Sequence, residues 1–123
     1  MGLVTWVNRA MTEDIRRRIL VVEDEALIAI DLCERLNASG FDVVGPSGTL
    51  AEARNLARNW RIDFALLDVN LHNEMVYPLA ADLAARGIPF AFLTSSQPIE
   101  MPEHWRSWLI LQKPTDVHSL VAQ

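Results

Sequence analysis

The sequence contains one cysteine, Cys33, in 123 residues, so it can form no internal disulfide and no cysteine metal cluster. An intracellular protein is the expectation. Cys33 falls in an apolar helical stretch, where a free thiol serves as a small hydrophobe. No apolar run approaches the length of a membrane-spanning helix, and residues 1–10 lack the continuous apolar core of a secretory signal. Met11, followed by Thr-Glu-Asp, is a second candidate start. A basic face is missing too: the net charge is −5, and the one dense basic run, Arg16-Arg17-Arg18, reads as a solvated flank of the first strand. Direct nucleic-acid binding is therefore not expected. No Gly/Ser/Thr loop follows the first strand to cradle a phosphate, which disfavours a flavin. Internal repeats and low-complexity segments are absent. Lysine is scarce: of 11 basic residues, all but Lys113 are arginine.

What remains is a globular composition, 50% hydrophobic and 22% charged, at a length suited to one core. Residues 62–70, Ile-Asp-Phe-Ala-Leu-Leu-Asp-Val-Asn, form an apolar run that delivers the carboxylate of Asp68 at its end. Such a run reads as a strand buried on both faces. Residues 19–22 form a first strand ending in Glu23-Asp24-Glu25. Residues 26–38 are helical, with Ile28, Leu32 and Leu36 on one stripe, and Ser39-Gly40 stops them. Residues 41–44 make a second strand, closed by Gly45-Pro46. Thr49 and Glu52 form a capping box, opening a helix whose core face is Ala53, Leu56, Ala57 and Trp60. Residues 71–74 read as a polar loop. A third helix spans 75–86, with Pro78 in its first turn. Residues 88–93 and 108–111 are the fourth and fifth strands, and residues 115–121 a short last helix. Pro98 and Pro102 disfavour a full helix over 95–107, leaving loop or one irregular turn. This alternation predicts an α/β fold, a five-stranded parallel sheet with helices on both faces.

In such a sheet the strand ends share one edge, where ligands bind. Glu23, Asp24, Asp68, Thr94 and Lys113 would therefore converge. The carboxylates would raise one another's pKa values unless a cation relieved them. Hard oxygen donors favour Mg²⁺, which tends to bring a phosphate. Lys113 suits phosphate as a flexible point charge. Glu23 and Asp24 also suit a helix N-terminus electrostatically. Glu25 reads as first-turn decoration, and His72, His104 and His118 as loop or surface residues without ligand spacing, His72 being close enough to the strand-end pocket to affect loss of a phosphoryl group.

Val21-Val22-Glu23-Asp24-Glu25, Leu67-Asp68-Val69-Asn70, Leu93-Thr94-Ser95 and Lys113-Pro114 together resemble, in order and spacing, the receiver domain of two-component response regulators. The resemblance covers residues 18–121, leaving 1–17 as an N-terminal extension to a receiver domain at 18–123. It implies a flavodoxin-like, doubly wound sheet of strand order 2-1-3-4-5. It also implies that Asp68 accepts a phosphoryl group from a histidine kinase or phosphotransfer protein, with Mg²⁺ as cofactor. Asp24 and Asp68 would be direct metal ligands, Glu23 a ligand through water, and Asn70 a ligand through its backbone carbonyl. Lys113, Thr94 and Ser95 would contact the phosphoryl oxygens, and a cis Lys113-Pro114 bond would aim the lysine.

Residues 87–94 further resemble an atypical alphaproteobacterial subfamily, with a Phe-Ala-Thr-Gly-(apolar)-Tyr pattern and a reduced fourth helix. Leu93 and Ser95-Ser96 depart from that pattern. Ile110 and Thr115 replace aromatic residues common in the wider family, so the usual aromatic switch is not expected. Trp105 and Trp108 then fill the space of the missing helix, or form a docking surface. The expected function is a cytoplasmic, stand-alone receiver with self-catalysed phosphotransfer and autodephosphorylation. It would act through a downstream protein target or as a phosphate shuttle or sink. The alternatives are a phosphorylation-independent binding module, a receiver fragment of a larger regulator or hybrid kinase, and an aspartyl-phosphate hydrolase. Asn70 stands where that hydrolase would place its acid/base aspartate.

Overall fold

The computed structural model describes residues 16–72, 74–94 and 101–113. Strands β1 (Arg18–Val22), β2 (Asp42–Ser47), β3 (Phe64–Asp68), β6 (Phe90–Thr94) and β7 (Ile110–Gln112) form a parallel sheet. Its order is β2-β1-β3-β6-β7. Setting aside the small hairpin β4 (Asn70–Leu71) and β5 (Glu74–Met75), this is the expected 2-1-3-4-5. The strands are apolar on both faces because each face carries a core. Ile19, Val21, Phe64, Leu66 and Leu93 pack against Leu32 and Leu36 of α1 (Ala26–Ala38). Leu20, Val22, Ala65, Leu67 and Phe92 pack on the other side, against α2 (Leu50–Asn59) and α3 (Tyr77–Ala85). The period of two along each strand thus splits one apolar run between two cores.

Local chemistry explains the helix ends. The Glu52 N–H donates to Thr49 Oγ1 at 3.2 Å, the first half of the expected capping box. Pro78 lies in the first turn of α3, where its missing N–H has no helical partner to lose. Strand β2 runs on through Gly45-Pro46, the pair expected to close it; that peptide bond is cis. Gly45 has φ +102°, and a Cβ there would lie 2.9 Å from the Val21 carbonyl oxygen. Only glycine allows this approach to β1.

The third helix begins at Tyr77 rather than at Met75, which lies in β5, and other expectations change as well. Residues 71–74 are not simply a polar loop: Leu71 is fully buried and pairs with Glu74 in the hairpin. Trp60 caps α2 in extended backbone and is 50% exposed, so it does not continue the helix's core face. Trp108 precedes the fifth strand rather than opening it.

Between β6 and β7 the described residues form one 3-10 turn, Glu103–Trp105, with no α-helix. Aromatic rings occupy that face. Phe90 and Trp108 stack at 4.6 Å, Tyr77 and Trp105 at 6.2 Å, and Phe92 meets Trp105 edge-on at 5.8 Å. Trp105 is buried, which settles the choice between packing and docking in favour of packing. The expected last helix, residues 115–121, lies outside the described residues, as do Ser95 and Pro114. Among the described residues, no helix is long and apolar enough to cross a membrane.

Candidate functional site

Register brings the strand ends together. Val22 pairs with Leu67, Asp68 with Leu93, and Thr94 with Gln112. The residues at and just beyond those ends therefore meet at one edge: Glu23, Asp24, Asp68, Thr94 and Lys113. Lys113 forms the centre. Its Nζ is 3.0 Å from Glu23 Oε2, 3.1 Å from Asp68 Oδ2 and 3.3 Å from Glu25 Oε1. Glu23, Asp68 and Thr94 are buried, and the Lys113 side chain is nearly so. The Lys113 N–H also donates to the Thr94 carbonyl at 2.7 Å, tying the lysine to the end of β6.

Asp24 is aimed by the hairpin. The His72 N–H donates to Asp24 Oδ2 at 3.1 Å, and His72 Nδ1 stands 3.5 Å from the same oxygen. The Glu25 N–H donates to Glu23 Oε1 at 3.0 Å at the start of α1. The exposed Asn70 turns its N–H to Asp68 Oδ1 at 3.4 Å.

The charge balance perturbs two groups. Burial pushes the Asp68 carboxyl up, with the Glu23 charge and a hydrogen bond with Asp24 adding to it. Lys113 only partly offsets these effects, and the pKa reaches about 7. Burial opposes the Lys113 ammonium, but hydrogen bonds and charge from Glu23 and Asp68 outweigh it and hold its pKa above the ordinary value. A carboxyl poised near neutrality in a cleft is a hallmark of functional sites.

The donors also fit a divalent cation. Carboxylate oxygens of Glu23, Asp24 and Glu25 lie within 4.8 Å of one another. Glu23 Oε2 is buried without a well-formed hydrogen bond, and among the described residues its charge is met by the Lys113 ion pair. A hard, all-oxygen set of this kind suits Mg²⁺.

Two further residues join this neighbourhood, one of them unexpected. Glu25 is a partner of Lys113 rather than mere decoration. His72, expected in a loop close to the pocket, reaches Asp24 there. Glu25 was in plain view as the third acid of its run, whereas the His72 contact spans 48 positions and has no local signal.

A parallel doubly wound sheet with a buried aspartate, an acidic pair and a lysine at its carboxyl edge defines a class of α/β modules whose ligands bind at that edge. Comparison with known proteins narrows the class. The solution structure of SdrG from Sphingomonas melonis Fr1 is 39% identical, superposes with a TM-score of 0.77, and is matched over 87% of this chain and 94% of its own. The signal receiver domain of a modulated diguanylate cyclase from Desulfovibrio desulfuricans G20 is 32% identical, with a TM-score of 0.75 and coverage of 88% and 92%. The transcriptional regulatory protein PdtaR of Mycobacterium tuberculosis is 32% identical over 87% of this chain. The chain spans about half of PdtaR, 54% of its length. No protein-family model matches the chain. On these relationships, the chain belongs to the receiver domains of two-component response regulators.

Proposed function

We propose that Asp68 accepts a phosphoryl group from a phosphohistidine on a kinase or phosphotransfer protein, making this chain a cytoplasmic phosphorelay receiver. The observation that carries the reading is the Lys113 ammonium, held 3.1 Å from Asp68 and 3.0 Å from Glu23 in a nearly buried pocket. An Asp68 carboxylate oxygen attacks phosphorus in line, forming the O–P bond as the N–P bond of the donor breaks and its electron pair returns to the imidazole. Lys113 then pairs with the phosphoryl oxygens, and Thr94 and Ser95 donate hydrogen bonds to them. Asp24 and Asp68, with Glu23 through water and the Asn70 carbonyl, would hold a Mg²⁺, which when bound would supply charge neutralisation to the transferring group. Self-catalysed hydrolysis of the acyl phosphate ends the signal.

The donor's docking face is the start of α1. Leu27 is 85% exposed and Ile30 52%, on the helix that opens directly after the acidic residues. Two large apolar side chains left in water beside a reactive pocket favour a protein partner there. Output passes to a downstream protein, or the phosphoryl group passes to another carrier. The domain extends from residue 18 to 123, with residues 1–17 as an extension.

The test is intact mass after incubation with acetyl phosphate, with and without Mg²⁺, for the native chain and Asp68→Asn. One phosphoryl adduct that requires both Mg²⁺ and Asp68 supports the reading. No adduct, together with no binding of beryllofluoride by the folded protein, would overturn it in favour of a phosphorylation-independent binding module. Ile110, 40% exposed on β7 where an aromatic switch would stand, is the feature favouring that second reading.

A further inference from the structure

We infer that Glu25 is a positioning residue, a displaceable counter-ion that holds Lys113 in the unphosphorylated chain and releases it to a phosphoryl group arriving on Asp68. The inference rests on Asp68 being the phosphoryl acceptor, as proposed above, and adds what sets the pocket's grip on that group.

Three observations carry it. First, the ammonium is fully engaged. A lysine head has three N–H donors, and Lys113 Nζ has three carboxylates around it: Glu23 Oε2 at 3.0 Å, Asp68 Oδ2 at 3.1 Å and Glu25 Oε1 at 3.3 Å. A phosphoryl oxygen that pairs with Lys113 therefore takes the place of one of them. Second, the three differ in what release costs. The Glu23 side chain is 0% exposed and that of Asp68 7%, whereas that of Glu25 is 61%. A buried carboxylate parted from its cation is strongly destabilising, but an exposed one is taken up by water. Glu25 also makes the longest of the three contacts. Third, Glu25 can leave by itself. Its backbone N–H donates to Glu23 Oε1 at 3.0 Å at the start of α1, and that bond does not involve the Glu25 side chain. Release of the side chain thus leaves the main chain and Glu23 where they are.

Glu25 thus competes with the phosphoryl group for one ammonium. The exchange takes back part of the attraction that Lys113 offers an incoming anion, and the Glu25 charge beside the pocket opposes that anion as well. Glu25 therefore weakens the pocket's hold on a phosphoryl group, while Lys113 stays aimed at Asp68 throughout.

The test is a beryllofluoride titration in saturating Mg²⁺, followed by fluorine NMR, on the native chain, Glu25→Gln and Glu34→Gln. Glutamine keeps the size of the side chain and removes its charge. Glu34, exposed further along α1, loses the same charge as a control. The expected result is that Glu25→Gln binds the phosphoryl mimic about three- to fivefold more tightly than the native chain. The gain should shrink in high salt, and Glu34→Gln should bind as the native chain does. Thermal unfolding of Glu25→Gln should match the native chain closely, since an exposed partner contributes little to stability. Equal or weaker binding by Glu25→Gln would overturn the inference; weaker binding would make Glu25 a supporting group for the phosphoryl site rather than a competitor. An equal gain in Glu34→Gln would assign the effect to overall charge and overturn it too. Failure of the folded native chain to bind beryllofluoride would instead remove the reading on which the inference rests.

Discussion

Lys113 Nζ lies 3.0 Å from Glu23 Oε2 and 3.1 Å from Asp68 Oδ2, so one ammonium joins the ends of β1, β3 and β7. Neither carboxylate side chain is more than 7% exposed, which makes the lysine their main counter-charge. The ammonium to which a phosphotransfer role is proposed thus makes this edge of the sheet tolerable to fold.

Lys113→Met follows directly. Methionine keeps the length of the stem and removes the charge, leaving buried carboxylates uncompensated. The expected loss is about 3 kcal/mol of unfolding stability in chelator, with part of it recovered on adding Mg²⁺. Denaturant titration in both conditions checks it; equal stability of the two proteins in chelator would contradict it.

Asp68 makes stability depend on pH. Its folded pKa of about 7 lies above the ordinary 3.8, so the folded state holds the proton more tightly than the unfolded chain. That contribution is fully present below the unfolded value and is lost as pH rises through the folded one. In chelator, the Tm of the native chain should fall across this window. Asp68→Asn, neutral throughout, should flatten the fall and be the more stable protein above it.

The same raised pKa predicts proton release on metal binding. Near neutral pH part of the Asp68 population is protonated, and a cation must displace that proton to use the oxygen. Mg²⁺ titrations in buffers of different ionisation enthalpy should show release of a fraction of one proton near pH 7, absent in Asp68→Asn.

The tryptophans should separate by burial. Trp105, buried among Tyr77, Phe90, Phe92 and Trp108, should lose about 3–5 kcal/mol on change to Ala. Trp60, half exposed with the Arg18 guanidinium 5.7 Å above its ring, should lose no more than about 1 kcal/mol. Comparable losses at both positions would refute the assignment of Trp105 to the core of the fourth crossover.

The Arg54–Asp82 pair joins α2 to α3 with two hydrogen bonds, at 2.8 and 3.2 Å, yet both side chains are over a third exposed. Solvent screening reduces such a pair, so Asp82→Ala should cost less than about 1 kcal/mol and the difference should shrink in high salt.

Much of this protein was settled by residue order alone. Continuous apolar runs such as Ile19–Leu20–Val21–Val22 require a strand covered on both faces, because no polar side remains to meet water. Their alternation with helical stretches then leaves a parallel sheet as the simplest solution, and a parallel sheet must gather its strand ends on one edge. Glu23, Asp68, Thr94 and Lys113 could be grouped for that reason before any distance was known. Other features depended on the folded chain. The polar letters around Leu71 conceal a buried hairpin residue, since two-residue strands are too short to show a period. Trp60 fits a helical stripe by spacing, but the backbone turns extended at that residue and carries the ring into solvent. The contacts of Glu25 with Lys113 and of His72 with Asp24 join residues far apart in the chain, across 88 and 48 positions. Periodicity is a local property, whereas contacts between side chains at a sheet edge depend on register, loop path and rotamer, which exist only once the chain has folded.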